Sequence, residues 1–340
     1  MITATPGVRT TPVTTEALAD WRQLWRECVT DAAELLELVD LAYLTDQLPA
    51  ADAGFQMRVT RSFISRMKRG DPNDPLLLQV LPQRVELVQV PGFVDDPVGD
   101  LDARAAHGVL HKYEGRALLI ASGSCAVNCR YCFRRHFPYG QEMAASSQWQ
   151  QALAHLRQDT SINELILSGG DPLSLATHKL EELSHGLADI AHVKRVRIHS
   201  RLPVVLPERI DEAFLAWLNS LPQQKVVVLH ANHANEFDAS VDAACARMRA
   251  AGVTLLNQSV LLRGVNDSAD AIADLSERMF AAGVLPYYLH QLDRVQGAAH
   301  FEVNDTRARA LMDEVRARLP GYLVPKLVRE VAGDGSKRPL

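Results

Sequence analysis

Between residues 116 and 320, short apolar runs alternate with longer stretches that carry a single apolar face. The runs occupy 117–121, 164–167, 195–199, 226–230, 254–259 and 285–290. Strands buried in a parallel sheet read as continuous runs of this kind. The stretches between and after them repeat apolar residues at helical spacing. One face holds Leu180, Leu183, Leu187 and Ile190, and a second Ile210, Phe214, Trp217 and Leu218. A third holds Val241, Ala244, Cys245 and Met248, a fourth Ile272, Leu275 and Met279, and the last Leu311, Met312, Val315 and Leu319. Gly252 and Gly283 stand where C-caps are expected, Asp267 and Ser268 where an N-cap is, and Pro320 stops the last helix. Six strand–helix units of about 30 residues have the length of βα repeats. Eight would close a full barrel. The pattern therefore predicts an α/β fold built on an open or three-quarter (βα) barrel. Polar and Gly-rich punctuation follows each strand on one face, which in barrels carries the chemistry.

The first hundred or so residues read as helical and irregular. Trp21, Leu24, Trp25 and Cys28 form an amphipathic stripe, residues 61–69 read as a short helix, and Pro75, Pro82, Pro91 and Pro97 break up the passage from 71 to 100. We expect three parts: an N-terminal extension over 1–105, the repeat over 106–320 and a short C-terminal segment over 321–340. Composition changes this picture little. With 47% apolar and 23% charged residues among 340, the chain is ordinary for a globular protein and unlike a disordered or fibrous one. A net charge of −5 gives no basic field for nucleic acid or an anionic membrane. No apolar run reaches spanning length, and the opening MITATPGVRTTPVTTEALADW lacks the charged start and apolar stretch of a secretory signal. The expected location is the cytoplasm, where five cysteines are read as thiols or metal ligands. Cys28 and Cys245 sit on apolar helix faces and read as small buried hydrophobes.

The other three, Cys125, Cys129 and Cys132, form C-x3-C-x2-C directly after the first strand of the repeat. Three thiolates so close in sequence can converge on one metal centre. Iron–sulfur cubanes usually take four cysteines, so three leave one iron open to a small chelating molecule. The rival reading is a zinc site completed by His136. Zinc motifs, however, usually pair two C-x2-C halves, and only one is present here. After the second strand comes Ser168-Gly169-Gly170-Asp171-Pro172. Its glycines let backbone approach a ligand closely, and Asp171 reads equally as a helix cap. Only seven lysines occur against 29 arginines, and one of them, Lys337, lies in GDGSKRPL. A Gly- and Ser-rich loop around a lysine suits pyridoxal phosphate (PLP); a solvated tail is the alternative.

The cysteine spacing followed by SGGDP resembles the radical S-adenosylmethionine (SAM) superfamily. From about residue 60 onward, HKYEGRALLI, CAVNCRYCFRRHF, SGGDPL, IHSRLPVVLPERI, NHANE, TLLNQSVLLRGVND, PYYLHQLDRVQGAAHF and GYLVPKLVRE resemble the lysine 2,3-aminomutase family within it. CRYCFRRHFPY, VQGAAHF and GYLVPKL are similar to the bacterial branch that modifies elongation factor P (EF-P). The family's free-lysine catabolic members continue well past the PLP lysine and carry further zinc-binding cysteines. Such a segment is absent after Lys337, which favours the EF-P branch.

The resemblance implies a partial (βα)6 radical SAM barrel and an isomerase that converts L-α-lysine to (R)-β-lysine by 1,2-amino migration. It implies that Cys125, Cys129 and Cys132 hold a [4Fe-4S] cluster, that Ser168, Gly169, Gly170 and Asp171 line the SAM site, and that Lys337 carries PLP with Lys112, Tyr113 and Arg116 in contact. Arg134 would hold the substrate carboxylate, and Asp293 and Glu330 its ε-ammonium; for Glu330 a surface pair with Lys326 or Arg329 is the alternative. Expected partners are L-lysine, a flavodoxin or ferredoxin reductant, EF-P with its lysyl ligase, and a second copy of the chain. His230, His233, His290 and His300 stay open, as cavity groups or as a hydrogen-bonded loop cluster. The other readings are the same chemistry on arginine or glutamate, and a zinc-stabilised binding module without catalysis. An acidic pair argues against glutamate.

Overall fold

The computed structural model describes residues 20–50, 55–147 and 149–340. Most of the N-terminal segment weighed as a secretion signal lies outside them. Ten strands form one sheet in strict chain order. They are β1 (Arg104–Ala106), β2 (Val109–Tyr113), β3 (Arg116–Ser122), β4 (Glu164–Gly169), β5 (Arg195–Ser200), β6 (Gln224–His230), β7 (Thr254–Val260), β8 (Leu285–His290), β9 (Lys326–Arg329) and β10 (Arg338–Pro339). From β3 to β9 every neighbour is parallel. Antiparallel pairs add β1 and β2 at one edge and β10 at the other. The six expected strands are all present, within two residues at each end. The C-terminal segment expected over 321–340 supplies a seventh parallel strand and its hairpin partner.

Sequential order follows from the short αβ connections, each of which returns the chain beside the strand it left. No backbone pairing joins β1 to β10 among the described residues. The sheet nevertheless curls until its ends face each other, since Lys112 on β2 meets Glu330, the residue after β9, at 3.0 Å. An incomplete barrel results, closed at its seam by side chains.

Side-chain alternation sorts each strand into two faces. Leu165, Leu167, Val196, Ile198, Leu255 and Leu289 are buried on the outer face. Burying such a side chain is worth about 1.5–3 kcal/mol. The alternate residues turn inward: Arg116 and Leu118, Ile166 and Ser168, Arg197 and His199, Gln258 and Val260, Tyr288 and His290 all line one cavity. The inner face is therefore largely polar, and the strands are less uniformly apolar than buried parallel strands usually are.

The outer helices follow their predicted faces. Thr177–Leu187 buries Leu180, Leu183 and Leu187, with Ile190 buried just beyond its end. Glu212–Ser220 buries Phe214, Trp217 and Leu218. Ala239–Ala250 buries Val241, Ala244, Cys245 and Met248. In Ala269–Ala281, Ser268 caps the helix by accepting from the Ala271 amide, and in Asp305–Arg318 Leu311, Met312 and Val315 are buried. Gly252 and Gly283 adopt positive φ (75° and 76°) directly after their helices, as the caps require. Two readings need correction. The helix expected over 61–69 is one turn, Arg61–Ile64, after which the chain breaks into turns. Cys28 is only half-buried, because Trp21–Arg26 ends before reaching it.

Candidate active site

The three cysteines, Ser168 to Asp171, Lys112, Tyr113, Arg116, Arg134, Asp293, Glu330 and Lys337 all line one cavity of about 530 Å³ inside the incomplete barrel. That volume suits small ligands. The three cysteines come from the loop after β3. Arg201, which follows β5, donates from Nη1 to Cys129 Sγ (2.7 Å) and to the Tyr131 hydroxyl (2.8 Å). Its Nη2 reaches Gln79 (2.7 Å) and Glu236 (3.0 Å). Burial, then Asp171 and the other two thiols, push Cys125 well above the usual thiol range, and burial pushes Cys132 up to about 11. Arg201 and Arg134 oppose this, so the loop combines dry surroundings with cations placed to hold thiolates.

Whether the thiols fit zinc or a larger cluster is decided by spacing. Ligands of a tetrahedral zinc ion lie about 3–4 Å apart. Among the described residues the only three ligating atoms within 4.8 Å of one another belong to His111, His155 and Asp159. The cysteine sulfurs are thus spread wider than one zinc ion needs. His136, the alternative zinc ligand, bonds the Gln296 carbonyl at 3.3 Å instead.

Arg130 anchors the cysteine loop from behind. Buried Glu86 receives Arg130 at 2.5 Å and Arg135 at 2.9 Å, and Arg130 also reaches the Phe55 carbonyl at 2.6 Å.

The SGGDP turn closes the next wall. Gly169 has φ +124°, and a Cβ there would lie 2.4 Å from the Ser122 carbonyl oxygen. A Cβ on Gly170 would lie 2.7 Å from the Ser124 carbonyl oxygen. The glycines therefore let the turn pack onto the start of the cysteine loop. Asp171 proves to be a brace. One oxygen caps Leu173 N (3.0 Å) and accepts from Ser200 Oγ (2.7 Å); the other takes Arg201 N (2.8 Å) and Leu202 N (3.1 Å). Burial raises its carboxyl to about 6 against those bonds.

Opposite lies a chain of alternating charge. Arg134 donates from Nε to Asp100 (2.6 Å) and from Nη1 to Ser168 (3.1 Å), while its Nη2 has no partner among the described residues. Asp100 also pairs with Lys112 (2.6 Å), Lys112 with Glu330 (3.0 Å), and Glu330 with Lys337 (2.5 Å). Burial opposes ionisation of Arg134, yet Asp100 raises its pKa overall. Burial alone would raise Glu330, but Lys337 and Lys112 draw it down to about 2. Glu330 is no surface pair: Arg329 binds Asp305 instead (2.6 Å), and Lys326 is exposed. Lys337 is likewise no solvated tail; its ammonium points inward, 6.0 Å from the Tyr288 ring. Half-buried Asp293 lies near Glu330, Lys337 and Lys112, and desolvation followed by Glu330 raises its carboxyl to about 7.

Arg116 stacks on Tyr113 at 4.5 Å and has no ion pair among the described residues, which leaves it available for an anion such as a phosphate. His199, His230 and His290 line the cavity, whereas His233 and His300 do not. Burial keeps these three imidazoles neutral, lowering His230 to about 3 and the others well below their usual range. His199 Nε2 and His290 Nε2 are buried without partners. The residues present thus fit a cluster on three thiols, a ligand against the glycine turn, and a phosphorylated aldehyde at Lys337.

Asp100 and Arg201 escaped the sequence reading. Asp100 lies in the passage taken as irregular. Arg201 lies within the quoted IHSRLPVVLPERI segment, and its place directly after a parallel strand was the available signal.

Comparison with known proteins adds to this geometry. The model of a 4Fe-4S single cluster domain matches residues 114–197, which include all three cysteines. An L-lysine 2,3-aminomutase of Escherichia coli is 50% identical over 328 residues, 96% of each chain. The chain belongs to the L-lysine 2,3-aminomutase family. The family likeness extends to an L-lysine 2,3-aminomutase of Haemophilus influenzae, 45% identical over 94% of each chain. It also reaches one of Clostridium subterminale, 32% identical over 94% of this chain and 77% of that one. No helix among the described residues is long and apolar enough to cross a membrane.

Proposed function

We propose that this chain is a radical SAM, PLP-dependent isomerase that moves the α-amino group of L-lysine to C3, giving (R)-β-lysine for modification of EF-P. The observation that carries this reading is the union in one cavity of three cluster-type thiols, an inward lysine and two carboxylates. Full-length similarity to curated lysine 2,3-aminomutases supports the substrate. In this reading, which rests on the motifs CRYCFRRHFPY, VQGAAHF and GYLVPKL, EF-P, its lysyl ligase and a flavodoxin or ferredoxin are the cytoplasmic partners.

In this reading Cys125, Cys129 and Cys132 hold the cluster, Ser168, Gly169 and Gly170 pack against SAM, and Lys337 and Arg116 hold PLP. When bound, cluster and SAM supply a carbon-centred radical, and PLP supplies the carbonyl that carries the migrating nitrogen. The chain's own residues orient and insulate. Arg134, held by Asp100 along its Nε edge, presents Nη2 to the substrate carboxylate, a donor geometry that suits a planar anion. Asp293 and Glu330 receive the ε-ammonium. Lys112 holds Asp100 and Glu330 apart and in register. The neutral imidazoles of His199 and His290 offer hydrogen bonds without adding charge. A primary alkyl radical attacks almost any C–H bond, so near-attack positioning and exclusion of water decide the outcome.

The test is substrate choice. The protein, reconstituted anaerobically with iron, sulfide, PLP, SAM and dithionite, is offered equimolar lysine, arginine and glutamate. Lysine alone should be isomerised. Preferential turnover of arginine or glutamate would move the reading to another aminomutase, and uptake of zinc in place of a cluster would end it.

A further inference from the structure

We propose that His111, His155 and Asp159 form a binding site for a divalent transition-metal ion of the zinc class, separate from the cavity. None of the three lines the cavity wall. His155 and Asp159 stand four residues apart at the C-terminal end of the helix Gln150–Gln158, a spacing that places both on one face. His111 comes from β2. One ligating atom from each lies within 4.8 Å of the other two, and no other such group of three occurs among the described residues. His111 Nδ1 is 3.7 Å from Asp159 Oδ2, and the two imidazoles meet edge to face at 5.6 Å. Nitrogen and oxygen ligands at about 2.0–2.1 Å from a tetrahedral ion lie roughly 3.4 Å apart. Small side-chain rotations therefore complete the set.

A second observation points the same way. His155 Nε2 is buried with no hydrogen-bond partner, although buried polar groups almost always have one. Asp159 is already oriented: its Oδ1 accepts from Ser161 N (3.0 Å) and Ser161 Oγ (2.6 Å), leaving Oδ2 toward His111. Two imidazoles and one carboxylate suit zinc better than calcium or magnesium, and the half-buried setting leaves a fourth position for water. The ion would tie β2 to the helix that follows the cysteine loop. Lys112, next to His111, reaches Asp100 and Glu330 in the cavity. The metal would thus brace the strand that carries this link.

The test uses the iron-loaded holoenzyme, whose thiols are occupied, dialysed anaerobically against zinc buffered at micromolar free concentration. Zinc and iron per chain are then measured by elemental analysis. Wild type should retain one zinc per chain, and His155→Ala and Asp159→Asn should each weaken zinc binding by roughly tenfold or more with iron unchanged. The milder His111→Gln gives the same reading should either variant fold poorly. Zinc should raise the thermal midpoint of wild type and leave that of the variants unmoved. A wild type that retains no zinc, or variants that retain it equally, would overturn the proposal.

Discussion

Replacing Asp293 with asparagine tests the substrate end of the site. Asp293 lines the cavity, half-buried, beside Glu330, Lys337, Lys112 and Asp100. Burial, with repulsion from Glu330, raises its carboxyl to about 7, and the two lysines only partly offset this. Below that pH it is a neutral acid and offers no charge to an ε-ammonium; above it, it is an anion. The kcat/KM for lysine should therefore rise with pH and level off above about 7. One unit below the midpoint only about a tenth of the carboxyl is ionised, so the rate falls about tenfold there. Glu330, held at about 2, stays ionised throughout and adds no limb. Asp293→Asn removes one partner of a charge pair that bound substrate would desolvate, a loss of about 2–5 kcal/mol. That equals about 30-fold to several-thousand-fold in kcat/KM. The pH limb should vanish with it. Anaerobic initial rates from about pH 5.5 to 8.5 for both proteins measure this. A limb of unchanged midpoint in Asp293→Asn, or a loss below about threefold, would refute the reasoning.

Three further outcomes are expected. Gly170→Ala places a Cβ 2.7 Å from Ser124 O and 2.8 Å from Gly123 C; it should cost about 1–3 kcal/mol of stability and abolish the change that SAM makes in the cluster's paramagnetic resonance spectrum, with iron content retained. Glu86→Gln strands the buried guanidiniums of Arg130 and Arg135; denaturation should show a loss of about 3–5 kcal/mol, and an unchanged midpoint would deny the triad its role under the cysteine loop. Lys337→Arg should lose the PLP absorbance that survives dialysis of wild type while keeping its iron.

The barrel was legible because its strands are short apolar runs bounded by caps and glycines. All six runs and the buried faces of the five expected helices were read correctly, but the helix Gln150–Gln158 between β3 and β4 was missed. The seventh parallel strand was missed for a physical reason. Lys326-Leu327-Val328-Arg329 is half charged, and pairing with β8 on one side and β10 on the other makes it a strand. The inward polar positions were hidden by the same logic: in β5, Arg197 and His199 alternate with Val196 and Ile198, so the apolar half dominates the pattern. Local motifs revealed the cysteines and glycines. Asp100 carries no local signature, since its role depends on Arg134 and Lys112 arriving from elsewhere in the chain. Asp171 shows the converse, a motif residue whose oxygens are both used to brace the turn.

The central claim is amino migration that needs both the cysteine loop and Lys337. Lysine labelled with ¹⁵N on its α-nitrogen, incubated anaerobically with the fully reconstituted protein, tests it most directly. The account predicts β-lysine with the label on C3, and none from Cys129→Ala or Lys337→Ala. Unchanged lysine from a protein that holds cluster, SAM and PLP would contradict it, as would product that survives either substitution.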